Sequence, residues 1–181
     1  MKSLSVAIAL VLLLAPLVAQ AQGSPTSRTL NDGKVHFSVP ADWTAVMEKT
    51  DGDPQAIAYS VPDPGSGGSD TTATVTVKTR ALAAPSAFAG AVQDELERAK
   101  QQPGYTRDTA ASSDPSVSRY TTLRGKVRYS VADRYFLTGN IAVQVRCQRP
   151  EIAANSAEWN AAFDRACAGV FESLKSGAPA P

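Results

Sequence analysis

The residues that could do chemistry are few: one histidine, two cysteines and a glycine–serine segment. His36 stands between Val35 and Phe37, whose side chains point to the opposite side of an extended segment. A Ser-His-Asp triad needs its histidine beside a serine nucleophile and an orienting carboxylate. The segment Gly65-Ser66-Gly67-Gly68-Ser69 lies in a flexible loop rather than on a strand-to-helix turn, so it does not predict a nucleophile. The sequence therefore predicts no histidine-based catalytic site.

Metal, cofactor and nucleic-acid sites are not predicted either. Asp51 and Asp53 flank Gly52 in a turn, but a calcium loop needs more oxygen ligands, including a late bidentate glutamate. Two cysteines cannot form a four-cysteine zinc site, and no glycine motif that cradles phosphate occurs. A formal net charge of +1 argues against binding to nucleic acid through phosphate contacts. We expect no catalytic residue, metal or cofactor, and hence a protein that is not an enzyme.

Residues 1–21 have the pattern of a secretory signal peptide. Lys2 supplies the positive start, Val6–Val18 is apolar, and Ala19-Gln20-Ala21 is a small-x-small cleavage site. The apolar run is short for a transmembrane helix. Cleavage after Ala21 also removes Lys2, which leaves 17 basic and 17 acidic side chains. We expect a soluble periplasmic protein that has no membrane anchor after cleavage.

The two cysteines predict a disulfide, because export allows cysteines to oxidise. Alternation along the last predicted strand places Cys147 on the same face as Val143 and Val145. Cys167 lies on the apolar stripe of the last predicted helix. Both side chains therefore point into one strand–helix interface, where a Cys147–Cys167 bond can form if the Cα atoms approach within about 7 Å.

The elements that position these residues follow from hydrophobic periodicity. The predicted strands are 34–39, 43–48, 56–61, 72–80, 105–110, 117–123, 127–137 and 141–149, and the predicted helices are 86–102 and 156–174. This order lacks a regular alternation of strand and helix, so we expect an α+β fold with a mainly antiparallel sheet flanked by helices. A polar leader (22–28), a single domain (29–175) and a disordered tail (176–181) complete the predicted organisation.

Charge is unevenly distributed along the chain. The charged side chains of residues 41–70 are acidic except for Lys49. By contrast, residues 117–150 carry seven basic side chains and only one acidic side chain, Asp133. Alternation along the predicted strand 127–137 places Lys126, Arg128 and Arg134 on one face. Arg146 is expected on the matching face of the next strand. These four residues form either a surface for an acidic partner or anionic polymer, or an ordinary solvated sheet face matched by acidic neighbours.

The placement of Arg146 depends on the turn between the last two predicted strands. Gly139-Asn140 alone would make a two-residue loop, and Thr138-Gly139-Asn140 would make a three-residue loop. The apolar pattern favours the three-residue loop, which pairs Leu137 with Ile141.

The segment Phe37-Ser38-Val39-Pro40-Ala41-Asp42-Trp43 has the form F-x-V-P-x-x-W. With this opening and its order of elements, the chain from about Thr29 to Leu174 resembles the PsbP-like superfamily. The resemblance implies an α/β/α sandwich around an antiparallel sheet, and it implies binding or assembly more often than catalysis. Fold analogy does not by itself give a function.

The sequence therefore favours two binding hypotheses over an enzymatic one. The first is a periplasmic protein-binding domain, with an immunity-type inhibitor of a periplasm-acting toxin as one form of it. The second is a module that binds a small ligand or a cell-envelope polymer, which needs a well-formed apolar pocket with a few polar groups. A hydrolase would need clustered carboxylates in a cleft.

Overall fold

Nine strands and two α-helices make up the residues that the computed structural model describes, which are 24–65, 71–109 and 117–176. The predicted signal peptide, residues 177–181 of the predicted tail, and residues 66–70 and 110–116 lie outside the described residues. The strands are β1 (Thr26–Leu30), β2 (Val35–Val39), β3 (Thr44–Lys49), β4 (Gln55–Val61), β5 (Ala73–Ala81), β6 (Thr106–Arg107), β7 (Val117–Arg124), β8 (Val127–Thr138) and β9 (Ile141–Pro150). The helices are α1 (Phe88–Lys100), which follows a short 3₁₀ turn (Pro85–Ala87), and α2 (Ala157–Ser176).

Seven strands form one sheet in the order β3-β4-β5-β9-β8-β7-β6, and each described pair is antiparallel. Strands β1 and β2 form a separate antiparallel hairpin. These findings confirm the predicted α+β class with a mainly antiparallel sheet. The strand β9 lies near the middle of the sheet because it pairs with both β5 and β8.

The helix α2 and the β1–β2 hairpin cover one side of this sheet, which we call the α2 face. Alternate residues of β4, β5 and β9 point to this side and are buried, including Ile57, Val75 and Val145. They pack against Phe163 and Val170 of α2. This cluster is the larger hydrophobic core of the domain, and each fully buried side chain of this size contributes roughly 1.5–3 kcal/mol.

The helix α1 covers the other side of the sheet, which we call the α1 face. Ala99 of α1 packs there with Tyr120, Tyr129 and Val131 of β7 and β8 in a second, smaller core. The side chain of Lys78 on β5 reaches Glu95 of α1 at 2.8 Å. The two helices therefore pack on opposite faces, which gives the helix–sheet–helix layering that the PsbP-like resemblance implied.

The predicted polar leader 22–28 overlaps β1, which was not predicted. Leu30 is the only buried residue of this strand, so its side chains carry no hydrophobic signal. What holds the strand is its pairing with β2 across the turn that follows Leu30. Asn31, Asp32 and Gly33 of that turn all have positive φ, as expected for residue types that tolerate the left-handed region.

The turn between β8 and β9 corrects the predicted register. Thr138 pairs with Ile141, so the loop is the two-residue Gly139-Asn140 and not the three-residue loop that the apolar pattern favoured. A shift of one residue moves every side chain to the other face. The pattern misled because the buried aromatic residues of β8 face α1, whereas the buried apolar residues of β9, such as Val143 and Val145, face α2. The two apolar stripes therefore lie on opposite sides of the sheet.

Candidate functional site

The predicted disulfide is present. Cys147 on β9 and Cys167 on α2 are both buried, their Cα atoms are 6.2 Å apart, and the two sulfurs are bonded. Alternation on the strand and the helical stripe together placed both side chains correctly. The bond is a structural cross-link between the sheet and its covering helix.

The four predicted partner-binding residues do not form one surface. Arg128 and Arg134 lie on the α2 face, and Lys126 is exposed in the turn between β7 and β8. Arg146 lies on the α1 face, opposite to its predicted side, because its cross-strand partner is Asp133 and not Ala132, which the three-residue loop would have placed there. The cause is the one-residue difference in the β8–β9 turn.

Arg146 belongs to a buried ion-pair network, which we define as Asp133, Arg146 and Tyr120. The guanidinium donates two hydrogen bonds to Asp133, from Nε at 2.8 Å and from an Nη at 2.9 Å. Tyr120 donates a third from its hydroxyl to Oδ2 of Asp133 at 2.9 Å. The side chain of Asp133 is 0% exposed, so its charge is held entirely by these partners.

Burial and charge shift the pKa values in this network. Burial, and then the negative charge of Asp133, raise the pKa of Tyr120 well above its usual value. Burial alone would lower the pKa of Arg146, but its hydrogen bonds and attraction to Asp133 outweigh that effect and raise it. Both groups therefore keep their protons at neutral pH. The network locks β7, β8 and β9 together and offers no free base.

The space between α1 and the sheet is too small for a ligand. The cavity there has a volume of about 20 Å³, which is room for about one water molecule. Phe88 and Val92 of α1 and Tyr135 of β8 are among the residues that line it. Side chains of α1 and of the sheet therefore fill almost all of the space between them.

A much larger opening lies on the α2 face, and we call it the tryptophan groove. Its volume is about 930 Å³, near the upper end of the range for small-ligand sites. One wall is the segment 38–43, which comprises the end of β2 and the turn after it. The second wall is Val61 and Pro62 at the end of β4, and the floor is one side of α2 from Trp159 to Ser173. Both tryptophans of the chain, Trp43 and Trp159, line it.

The side of α2 that forms the floor carries small side chains. Ala162, Ala166, Gly169 and Ser173 follow one another at spacings of four, three and four residues, which places them on one helical face. A Cβ atom added to Gly169 would meet no atom within 4 Å. This stripe is the sequence signal for the groove, but it identifies a groove only once the opposite walls are known.

Polar groups in the walls already have partners. Trp159 donates from Nε1 to the carbonyl of Pro62 at 3.1 Å and stacks on Phe163 with ring centroids 5.6 Å apart. Ser173 accepts from the backbone N–H of Ser38 at 2.9 Å and donates to the carbonyl of Val170 at 2.6 Å. The interior of the groove therefore presents mainly apolar surface.

Two charged side chains, Asp42 and Arg165, stand at the exposed rim of the groove. Neither forms an ion pair with any described residue. A polar end of a bound molecule could therefore pair with either charge.

The described part of the chain contains neither a cluster of metal ligands nor a helix that could span a membrane. Within it, no three His, Cys, Asp or Glu side chains lie close enough together to hold a metal ion. Neither of its helices is long and apolar enough to cross a membrane.

Comparisons with known proteins give distant structural likenesses. No family model matches the chain, and no curated protein matches it. The crystal structure of LpqN, involved in cell envelope biogenesis of Mycobacterium tuberculosis, is similar with 14% identity and a TM-score of 0.46, over 86% of this chain and 84% of that chain. A structure from Bacteroides thetaiotaomicron is similar with 16% identity and a TM-score of 0.42, over 77% of this chain and 45% of that chain. At such identities and TM-scores the likenesses assign no function, and the PsbP-like resemblance stays a prediction.

Proposed function

We propose that this protein is an exported, non-catalytic binding module that holds an elongated apolar ligand, such as the acyl chain of an envelope lipid, in the tryptophan groove. The observation that carries this proposal is an opening of about 930 Å³ whose walls include both tryptophans of the chain. Open apolar clefts with a small number of polar groups are the usual form of ligand sites.

The shape of the groove favours a long ligand over a compact one. Its floor runs from Trp159 to Ser173 along α2, and at 1.5 Å per residue this distance is about 21 Å. The floor is made of small residues, and Ala162 and Gly169 are exposed to the opening. These small residues leave the groove deep enough for a chain to lie along the helix. An extended hydrocarbon fits this outline.

The chemistry of the groove favours an apolar ligand over a sugar. A sugar needs several donors and acceptors that converge on it, whereas the polar groups of Trp159 and Ser173 are already occupied. Apolar area contributes roughly 25 cal/mol per Å² when it leaves water. Asp42 and Arg165 at the rim are placed to contact a polar end group, so the proposed ligand is an amphiphile with its chain inside.

Two features support an exported location. The sequence of residues 1–21 predicts a signal peptide, and the Cys147–Cys167 disulfide is typical of oxidising compartments. A toxin inhibitor of the immunity type remains a prediction, and no described feature favours it over ligand binding.

The test is a titration of the mature protein with lauric acid below its micellar concentration, followed by intrinsic tryptophan fluorescence. Since both tryptophans line the groove, binding should change the emission directly. Gly169→Leu should fill the floor and weaken binding about tenfold or more, a loss on the order of 1.4 kcal/mol.

Gly90→Leu is the matched control. Gly90 is an exposed helical glycine of α1, and a Cβ atom there also meets nothing within 4 Å. This variant should bind lauric acid as the wild type does. Equal binding by Gly169→Leu, or an equal loss in both variants, would refute the groove as the binding site.

A further inference from the structure

The part of the α2 face that β7 and β8 form carries a second surface, separate from the groove. Arg119 pairs with Ala132, and Ala132 pairs with Cys147, which is bonded to α2. Arg119 therefore points to the α2 side. Arg128 and Arg134 lie on the same side because they are four residues before and two residues after Ala132. We call these three residues the arginine stripe.

The charges of the arginine stripe are poorly compensated within the fold. Arg119 and Arg134 are half-buried, and neither forms an ion pair with any described residue. Arg128 donates a long hydrogen bond to the Thr121 hydroxyl at 3.4 Å, and its ion pair with Glu151 is also long, at 3.9 Å. Half-buried charges without partners are costly, so carboxylates from another molecule would find a favourable place here.

Arg134 is held in position before any partner arrives. Its guanidinium carbon lies 5.5 Å from the centre of the Phe171 ring in a cation–π contact. Its Nε is buried and has no acceptor among the described residues. A side chain fixed in this way loses little conformational entropy on binding.

The geometry of the stripe points to a protein partner. Arg119 and Arg134 are diagonal neighbours on adjacent strands, with Cα atoms about 7–8 Å apart. Arg128 lies six residues from Arg134 along β8, which is about 20 Å. All three are arginines, which bind carboxylates in a bidentate manner and are enriched at protein interfaces where lysine is depleted.

We infer that the arginine stripe is a docking surface for an acidic protein segment whose carboxylates pair with Arg119 and Arg134. This inference does not depend on the proposed ligand of the tryptophan groove. It retains Arg128 and Arg134 from the predicted partner-binding set, adds Arg119, and excludes Lys126 and Arg146.

The experiment measures fluorescence anisotropy of a labelled peptide of ten glutamates as the mature protein is added. The wild type should bind this peptide and should not bind a peptide of ten glutamines. Arg119→Gln/Arg134→Gln should weaken binding about tenfold or more, in the range of losses when one side of a charge pair is removed. The charge-preserving Arg119→Lys/Arg134→Lys should also weaken it several-fold, because lysine cannot form the bidentate pair.

Lys49→Gln/Arg107→Gln is the matched control. Both residues are exposed and lie on the α1 face, and neither forms an ion pair with a described residue. This variant should bind within about twofold of the wild type, as expected for distant surface charges. Circular dichroism should show folded protein for each variant, and the lysine variant decides the outcome if the glutamine variant unfolds.

Three results would overturn the inference. The first is no binding of the glutamate peptide by the wild type. The second is wild-type binding by the lysine variant or an equal loss in the control, since either would show non-specific attraction. The third is sedimentation with phosphatidylglycerol vesicles in place of peptide binding, which would assign the stripe to a membrane surface.

Discussion

Asp133 is the residue that holds Arg146 in the interior of the domain. Its carboxylate is buried in the middle of the sheet and accepts hydrogen bonds from Arg146 and Tyr120. The β8–β9 turn places Arg146 beside this carboxylate, and the resulting ion pair makes a residue that was predicted to bind a partner part of the buried framework.

We predict that Asp133→Ala destabilises the domain by about 3–5 kcal/mol, because it leaves the buried charge of Arg146 without a partner. The measurement is the free energy of unfolding from guanidinium denaturation. The double variant Asp133→Leu/Arg146→Met should recover most of this loss, since replacing a whole buried pair with apolar side chains is often near neutral. A loss under about 1 kcal/mol in Asp133→Ala would show that water reaches the site.

Residue types alone could not have separated Arg146 from Arg134. Alternation correctly placed each residue relative to its own strand, and it was sufficient to place Cys147 in the disulfide. The relation between two strands depends on the turn, where Gly139 adopts a φ of 56° and allows a two-residue loop. A one-residue choice there decides the face, and the composition of the turn permitted both choices.

At the scale of elements, α1 is held to the sheet by charge as well as by apolar contact. Glu95 of α1 accepts a hydrogen bond from Lys78 of β5 at 2.8 Å and also pairs with Arg98 at 2.6 Å. Burial alone would raise the pKa of Glu95, but the hydrogen bond from Lys78 and the nearby positive charges outweigh it and lower the pKa. The ionised carboxylate is therefore the form that fastens α1.

The predicted consequence is acid sensitivity of α1. Because the pKa of Glu95 is lower in the folded state than its ordinary value of 4.5, its contribution is complete above that pH and is lost as pH falls through the folded value. Glu95→Gln should be less stable than the wild type at pH 7, and the two should converge as pH drops below about 4.5. Denaturation curves at several pH values test this, and a difference that does not shrink in acid would contradict it.

The order of helices and strands could be predicted from periodicity, but the division of the core could not. Each covering helix has its own apolar partners, on β4, β5 and β9 for α2 and on β7 and β8 for α1. The tryptophan groove likewise combines segments 38–43, 61–62 and 159–173. Such a site forms where segments that are distant in sequence come into contact. Periodicity within one segment does not indicate which other segments it contacts.

At the scale of the whole molecule, a net charge near zero conceals separate regions. The acidic early part of the sequence and the basic later strands were apparent from the sequence. The fold then places these basic residues in a buried pair of Arg146 with Asp133, a half-buried pair of Arg149 with Asp164 at 3.3 Å, and the arginine stripe. Of these three groups, the arginine stripe has the least compensation from acidic side chains of the described residues.

The disulfide should stabilise the molecule as a whole. It closes a loop with a sequence separation of 20 residues between the sheet and α2, for which chain entropy gives about 3 kcal/mol. Reduction with dithiothreitol should lower the free energy of unfolding of the wild type by about this amount. The variant Cys147→Ala/Cys167→Ala should be less stable but indifferent to the reductant, and a wild type that is equally indifferent would contradict the prediction.

The central position of β9 has a consequence for how the chain is made. This strand is the last of the nine described strands, yet it bridges β5 and β8, so that Val75 meets Cys147 across the sheet. While a ribosome is still adding the residues before Ile141, the two halves of the sheet have nothing to join them. The seven-stranded sheet can therefore be completed only after β9 has been synthesised, late in the chain.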